Sequence, residues 1–123
     1  MSGMNPQTLR AWLHVNPASV RPAPSVADQP EVVLLQWRVV RLPGGGCVLV
    51  GFLEGSSVIR VTTHIVRSKG REVWTRSGRC YALPYGPATD DEVVALLCER
   101  LAANGDFVYI DVTDSFAETL QTT

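Results

Sequence analysis

Between residues 32 and 83 the chain is a succession of five β-favouring stretches separated by four clusters of turn-forming residues, which restricts it to a sheet-based fold. Residues 32–42 are rich in valine and leucine, and Pro43-Gly44-Gly45-Gly46 supplies a turn before residues 47–53. Glu54-Gly55-Ser56 turns the chain again. Residues 58–67 alternate, with Ile59, Val61, Thr63 and Ile65 on one side and Arg60, Thr62, His64 and Val66 on the other. Ser68-Lys69-Gly70 separates this stretch from residues 71–76, and Ser77-Gly78 separates those from residues 79–83. The pattern predicts an antiparallel meander of five strands, with the Ile59 side facing the core.

Helical signals flank this block. Thr89-Asp90-Asp91-Glu92 has the form of a capping box with Thr89 as N-cap, Val93, Val94, Leu97 and Leu101 give an apolar stripe, and Asn104-Gly105 is a stop. Residues 107–112 have the β-propensity of a sixth strand, and Ser115 with Glu118 is expected to cap a brief terminal helix. At the other end, Asn5-Pro6 opens a helix whose Leu9, Trp12 and Leu13 share a face. The predicted organisation is a helix over residues 1–15, a proline-rich connector over 16–30 and a single domain over 31–123. The expected class is α+β: a twisted antiparallel sheet of five to six strands with one packed C-terminal α-helix and a short N-terminal helix. At 123 residues, 46% of them hydrophobic, the chain has the length of one domain able to bury its own core.

Composition narrows the function classes. The sequence has no apolar run long enough to cross a membrane and no basic leader with an apolar core behind it, so a cytoplasmic protein that does not bind membranes is expected. Cys47, Cys80 and Cys98 are odd in number and lack a C-x-x-C spacing, which fits reduced, core-filling thiols. Cys80 and His64 are the one thiol–imidazole pair expected on neighbouring strands, but no fixed register joins them. Asp111 and Asp114 read as a strand-end charge and a helix cap more simply than as an acid–base pair. Gly44-Gly45-Gly46 has no Lys-Ser/Thr or helix behind it and reads as a turn, not a phosphate cradle. His14 and His64 are too few to hold a metal at this spacing. No catalytic residue, metal or cofactor is predicted.

Charge singles out one surface. Residues 1–37 carry two bases and two acids, 38–79 carry eight bases and two acids, and 80–123 carry one base and eight acids. Six of the eleven basic residues, Arg60, Arg67, Lys69, Arg71, Arg76 and Arg79, lie in the hairpin region. With Ser68-Lys69-Gly70 as the turn, Thr62 faces Arg76, His64 faces Trp74 and Val66 faces Glu72. Arg60, His64, Trp74, Arg76 and Arg79 then form the candidate protein-binding residues: an aromatic anchor in a polar, cationic rim. The alternative is a nucleic-acid-binding module that stacks bases on Trp74, disfavoured by the eight acids of the C-terminal third. A small enzyme using Cys80 or the Asp111/Asp114 pair is the third possibility. In a fourth reading, without function, the helix that opens with Asp90, Asp91 and Glu92 covers this face and pairs with the arginines. Monomer and homodimer are both compatible with the sequence.

Two strand motifs, Arg60-Val61-Thr62-Thr63-His64-Ile65 and Thr75-Arg76-Ser77-Gly78-Arg79-Cys80-Tyr81-Ala82-Leu83, followed by Gly86-Pro87 and Asp111-Val112-Thr113, resemble an uncharacterised family of small bacterial proteins also met in phages and other mobile elements. The likeness spans residues 37–113. Ala88 stands where a second glycine is common in that family, and the helix lacks its tryptophans. The resemblance implies a small scaffold without an attached activity. A mobile-element setting would make the protein-binding reading that of a host-defence inhibitor of the anti-CRISPR kind.

Overall fold

The computed structural model describes residues 24–122, so the expected N-terminal helix over residues 1–15 lies outside the described residues. Seven strands and two helices follow: β1 (Glu31–Arg41), β2 (Cys47–Leu53), β3 (Ile59–Val61), β4 (Ile65–Lys69), β5 (Glu72–Thr75), β6 (Cys80–Ala82), α1 (Asp91–Ala103), β7 (Ile110–Asp111) and α2 (Thr113–Thr122). The class is α+β, as the sequence predicts. The sheet runs β3-β2-β1-β6-β5-β4, with β7 paired to β1. It is mixed and not purely antiparallel, because β6 lies parallel to β1 through Glu31↔Cys80, Val32↔Tyr81 and Val33↔Ala82.

The chain's central strand owes its two-sided burial to a bulge. Leu35 pairs with Phe52 and Arg38 with Val50, so Gln36 and Trp37 together oppose Gly51. Gln36 takes the left-handed conformation, with φ at 51°, at a cost of about 1–2 kcal/mol for a residue with a side chain. The extra residue shifts the alternation by one, and Trp37 and Val39 therefore continue the face begun by Val32 and Leu34. Without it Gln36 and Arg38 would point into that core. Gly51 makes the close approach possible: a Cβ there would stand 3.0 Å from Trp37 Cβ and 3.2 Å from Leu35 O.

The predicted strand over 58–67 is divided. Its alternation suits a single strand, but β3 and β4 occupy opposite edges of the sheet, joined by residues 62–64. Four Cα–Cα steps reach at most about 14 Å, whereas six strands laid flat would separate the edges by about 24 Å. The sheet must therefore curl until its edges approach. Hydrogen bonds pin the crossover on both sides: Thr62 N donates to Leu49 O and Leu49 N to Thr62 Oγ1 on β2, while Arg76 N, just past β5, donates to His64 O at 2.7 Å.

Curling divides the apolar residues into two clusters. Val32, Leu34, Trp37, Val39, Leu49, Val73, Tyr81 and Leu83 fill the concave side, closed by Phe116, Ala117 and Leu120 of α2. Trp37 is fully buried, edge-on to Phe116 at 6.5 Å, with its Nε1 donating to Tyr85 O. On the convex side, Val40, Val48, Val50 and Ile59 meet Leu96, Leu97 and Leu101 of α1. Two helices thus pack on the sheet: the expected packed helix, and the terminal one, expected only to be brief, which closes the concave core. The N-cap of α1 is Asp90, accepting from Glu92 N and Val93 N, one residue later than the predicted Thr89; its stop is as predicted, with Asn104 as C-cap and Gly105 at φ 93°.

The predicted sixth strand over 107–112 shrinks to β7, paired with Val40 and Arg41 of β1. The helix beyond begins at Thr113, not Ser115. Asp111 is the reason: its Oδ1 accepts from Thr113 N and Oγ1, and its Oδ2 accepts from Arg38 Nε and Nη2. Thr113 Oγ1 in turn accepts from Val39 N. The Asp111-Val112-Thr113 element is therefore the fastening between β1 and α2.

Gly51→Ala should lower stability by about 2 kcal/mol through overpacking at the bulge, a fall of about 8 °C in Tm, whereas Gln36→Gly should raise Tm by relieving the left-handed strain. A pH series gives a second check. Partial burial pushes the Asp111 carboxyl up, but the hydroxyl and amide of Thr113 and the Arg38 guanidinium outweigh it, leaving the group below its ordinary value of 3.8. A depressed folded-state value stabilises above that ordinary value and is lost as pH falls through the depressed one. Asp111→Asn should thus be destabilised in urea unfolding at pH 7, with the gap to wild type closing below about pH 4.

Candidate interaction face

The outer surface of β4, β5, β6 and the start of β1 is built in rows by register. Arg67 faces Trp74, Trp74 faces Cys80, and Cys80 faces Glu31. One row on, Lys69 faces Glu72, Glu72 faces Ala82, and Ala82 faces Val33. Between the rows, Val73 and Tyr81 turn inward to the core. Neither described helix lies over this surface, because α1 packs on the convex side of β1, β2 and β3 and α2 on the concave core. The acidic first turn of α1 therefore does not cover the hairpin.

Trp74 is half-buried on this face, and the Arg67 guanidinium lies 3.9 Å from its ring centroid. Such a contact contributes about 0.5–1 kcal/mol at an exposed site. With Ser68-Lys69-Gly70 as the turn, Arg67 would stand beside the hairpin tip and not opposite Trp74. The register moves it: a two-residue turn at Gly70 and Arg71, with Gly70 at φ 59°, sets Lys69 opposite Glu72. A further irregularity between Ile65 and Arg67 brings Ile65 opposite Thr75. The predicted pairs Thr62–Arg76, His64–Trp74 and Val66–Glu72 are accordingly not formed.

The five predicted residues separate into three places. Trp74 holds the centre of the outer face. His64 and Arg76 meet each other at the crossover, where Arg76 Nη2 lies 2.8 Å from His64 Nδ1. Arginine only donates, so Nδ1 is the acceptor. The imidazole also rests against the β1–β2 turn, where a Cβ on Gly46 would stand 2.8 Å from Nδ1.

Arg60 and Arg79 belong to neither group. Arg60 Nη1 donates to Gln29 Oε1, Arg79 Nε donates to Gln29 O, and Arg79 Nη2 bonds to Pro24 O. Both are buried, Arg79 to 4% exposure. They anchor residues 24–30 to the sheet, and Pro30 O completes the join by accepting from Cys80 N. Sequence alternation placed them on the Trp74 face because it carried no sign of a partner segment some thirty to fifty residues away.

Cys80 is 6% exposed and its Sγ donates to Glu72 Oε2 at 3.5 Å. Burial, the hydrogen bond to Glu72 and the charges of Glu72 and Glu31 push the thiol up to about 11, against a smaller opposing effect of Arg67. A nucleophilic cysteine needs the opposite shift, and His64 is bonded elsewhere. Asp111 is likewise engaged by Arg38 and Thr113. All three cysteines are free thiols.

A second surface was missed by the sequence analysis. Phe107, Val108 and Ile110 are exposed, Phe107 to 75%, beside β7. Their β-propensity suggests a longer strand, but only Ile110 and Asp111 pair with a neighbour. Among the described residues no helix is long and apolar enough to cross a membrane. No family model, no curated protein and no solved structure matches the chain.

Arg79→Ala should cost about 2–3 kcal/mol, since two hydrogen bonds from a charged, buried group are lost. Its signature is local: the amides of Asp28, Gln29 and Cys80 should exchange faster with solvent while those of α1 keep their protection.

Proposed function

We propose that this chain is a non-enzymatic protein-binding module working through the outer face of β4, β5 and β6. The observation that carries the reading is Trp74, stacked under Arg67 on a sheet surface that neither described helix covers. An aromatic ring pre-set by a guanidinium is the composition of an interface hot spot, because both groups give large contact area at little further loss of freedom. The face is of mixed sign, with Lys69 paired to Glu72 across β4 and β5 and Glu31 on β1, which favours a protein partner over a uniformly anionic one. The protonated Cys80 thiol and the engaged Asp111 support the non-enzymatic part. The likeness of the strand motifs to mobile-element proteins makes a host-defence protein the partner class to test first.

Immobilised wild type and the Arg67→Ala/Trp74→Ala double variant should be compared as baits for candidate defence proteins, with Phe107→Ser as a control for the second surface. Loss of the pair should weaken a partner at least about 30-fold, as hot-spot truncation of 2 kcal/mol or more does. Equal recovery of every partner by wild type and the double variant rules this face out. Salt-sensitive capture of single-stranded oligonucleotides, lost in the double variant, would transfer the face to nucleic acid.

A further inference from the structure

Glu31, Glu72 and Cys80 come from three different strands, yet one ligand atom of each lies within 4.8 Å of the others. Register brings this about. Glu31 and Cys80 are direct partners across the parallel β1–β6 pair, and Glu72 stands one row along on β5, diagonal to Cys80. Glu31 and Glu72 are exposed, whereas Cys80 between them is a buried residue. Its sulfur donates to Glu72 and accepts from no described residue. Arg67, the nearby cation, is committed to the Trp74 ring.

We propose that Glu31, Glu72 and Cys80 form a binding site for a divalent transition-metal ion of the zinc type, independent of the protein-binding reading of the same face. Three features select that chemistry. One thiolate with two carboxylates is a donor set that the oxygen-seeking ions calcium and magnesium do not favour, and that a borderline ion such as zinc accepts. Three protein ligands leave a fourth tetrahedral position, which opens to solvent beside the exposed carboxylates. A dication also answers the convergence of two carboxylates on one buried sulfur, which is otherwise unfavourable to the thiolate.

Binding exchanges one proton for one metal–sulfur bond: the Cys80 S–H breaks, the sulfur keeps the electron pair and donates it to the ion, and the proton leaves to solvent with no change of oxidation state. The charged groups facing the sulfur are Glu72 from β5, Glu31 from β1 and Arg67 from β4. Because the Cys80 thiol must lose its proton to bind the ion, affinity should rise about tenfold per pH unit between pH 6 and 8, the slope of a single displaced proton.

Cobalt(II) is the probe, since a thiolate ligand gives it a near-ultraviolet charge-transfer band. Titration of the full chain should produce a saturable band at one ion per chain that zinc displaces. Cys80→Ser should abolish it, Cys47→Ser and Cys98→Ser should keep it, and Glu31→Gln and Glu72→Gln should each weaken binding at least about tenfold. Thermal melting without metal checks the fold of Cys80→Ser; should that variant not fold, the two exposed glutamine variants decide. The proposal is overturned by absence of a band at millimolar cobalt, by a band that survives Cys80→Ser, or by affinity indifferent to both glutamine variants.

Discussion

The bulge at Gln36 and Trp37 opposite Gly51 is the constraint on which the rest of the structure depends. One residue out of phase lets the first half of β1 bury Val32 and Leu34 and the second half bury Trp37 and Val39 on the same side. The opposite side of the second half, Val40, is then free to meet α1. A regular strand would have presented Gln36 and Arg38 to the concave core, where neither could be satisfied. The left-handed strain at Gln36 is small beside the burial of a whole tryptophan, about 4–6 kcal/mol as an upper estimate.

Closure of the sheet follows from the shortness of the link between β3 and β4 and from the parallel docking of β6 on β1. Together they give β1 partners along both of its edges: β2, β6 and β7. Closure also explains why the basic stretch is not one surface. Arg60 and Arg79 are drawn to the end where residues 24–30 enter, His64 and Arg76 are held at the crossover, and only Arg67 reaches Trp74. The outer face is accordingly a set of cross-strand rows of mixed charge, with a thiol between two carboxylates beside an arginine-capped ring.

Much of this was legible where the determinants are local. The glycine turn at residues 43–46, the tight turn at Gly78 and the Asn104-Gly105 stop depend on backbone conformations that neighbouring residues dictate, and each stands where the sequence places it. The placement of Trp74 on the side of its strand away from the aliphatic core was legible as well. The bulge was not, because the bulged residues are Gln36 and Trp37, and the glycine that permits it lies on the partner strand. The break at residues 62–64 was hidden because Thr-Thr-His keeps the β pattern while the chain changes edge. Arg67 was misplaced because a turn at Gly70-Arg71 in place of Ser68-Lys69-Gly70 shifts the partners by an odd number of residues, which reverses the faces.

By itself the sequence determined the α+β class, the position of most turns, the start of α1 to within one residue and its end, and the concentration of positive charge around the β4–β5 hairpin. These rest on propensity, capping and turn chemistry, whose range is a few residues. Only the tertiary structure decided that the sheet is mixed and curled, that α2 completes the concave core, that Arg60 and Arg79 hold the connector, and that Glu31, Glu72 and Cys80 share one spot. Those outcomes depend on register and on which apolar faces bury one another across long stretches of chain, and the free energy that selects among them exists only once the strands are paired.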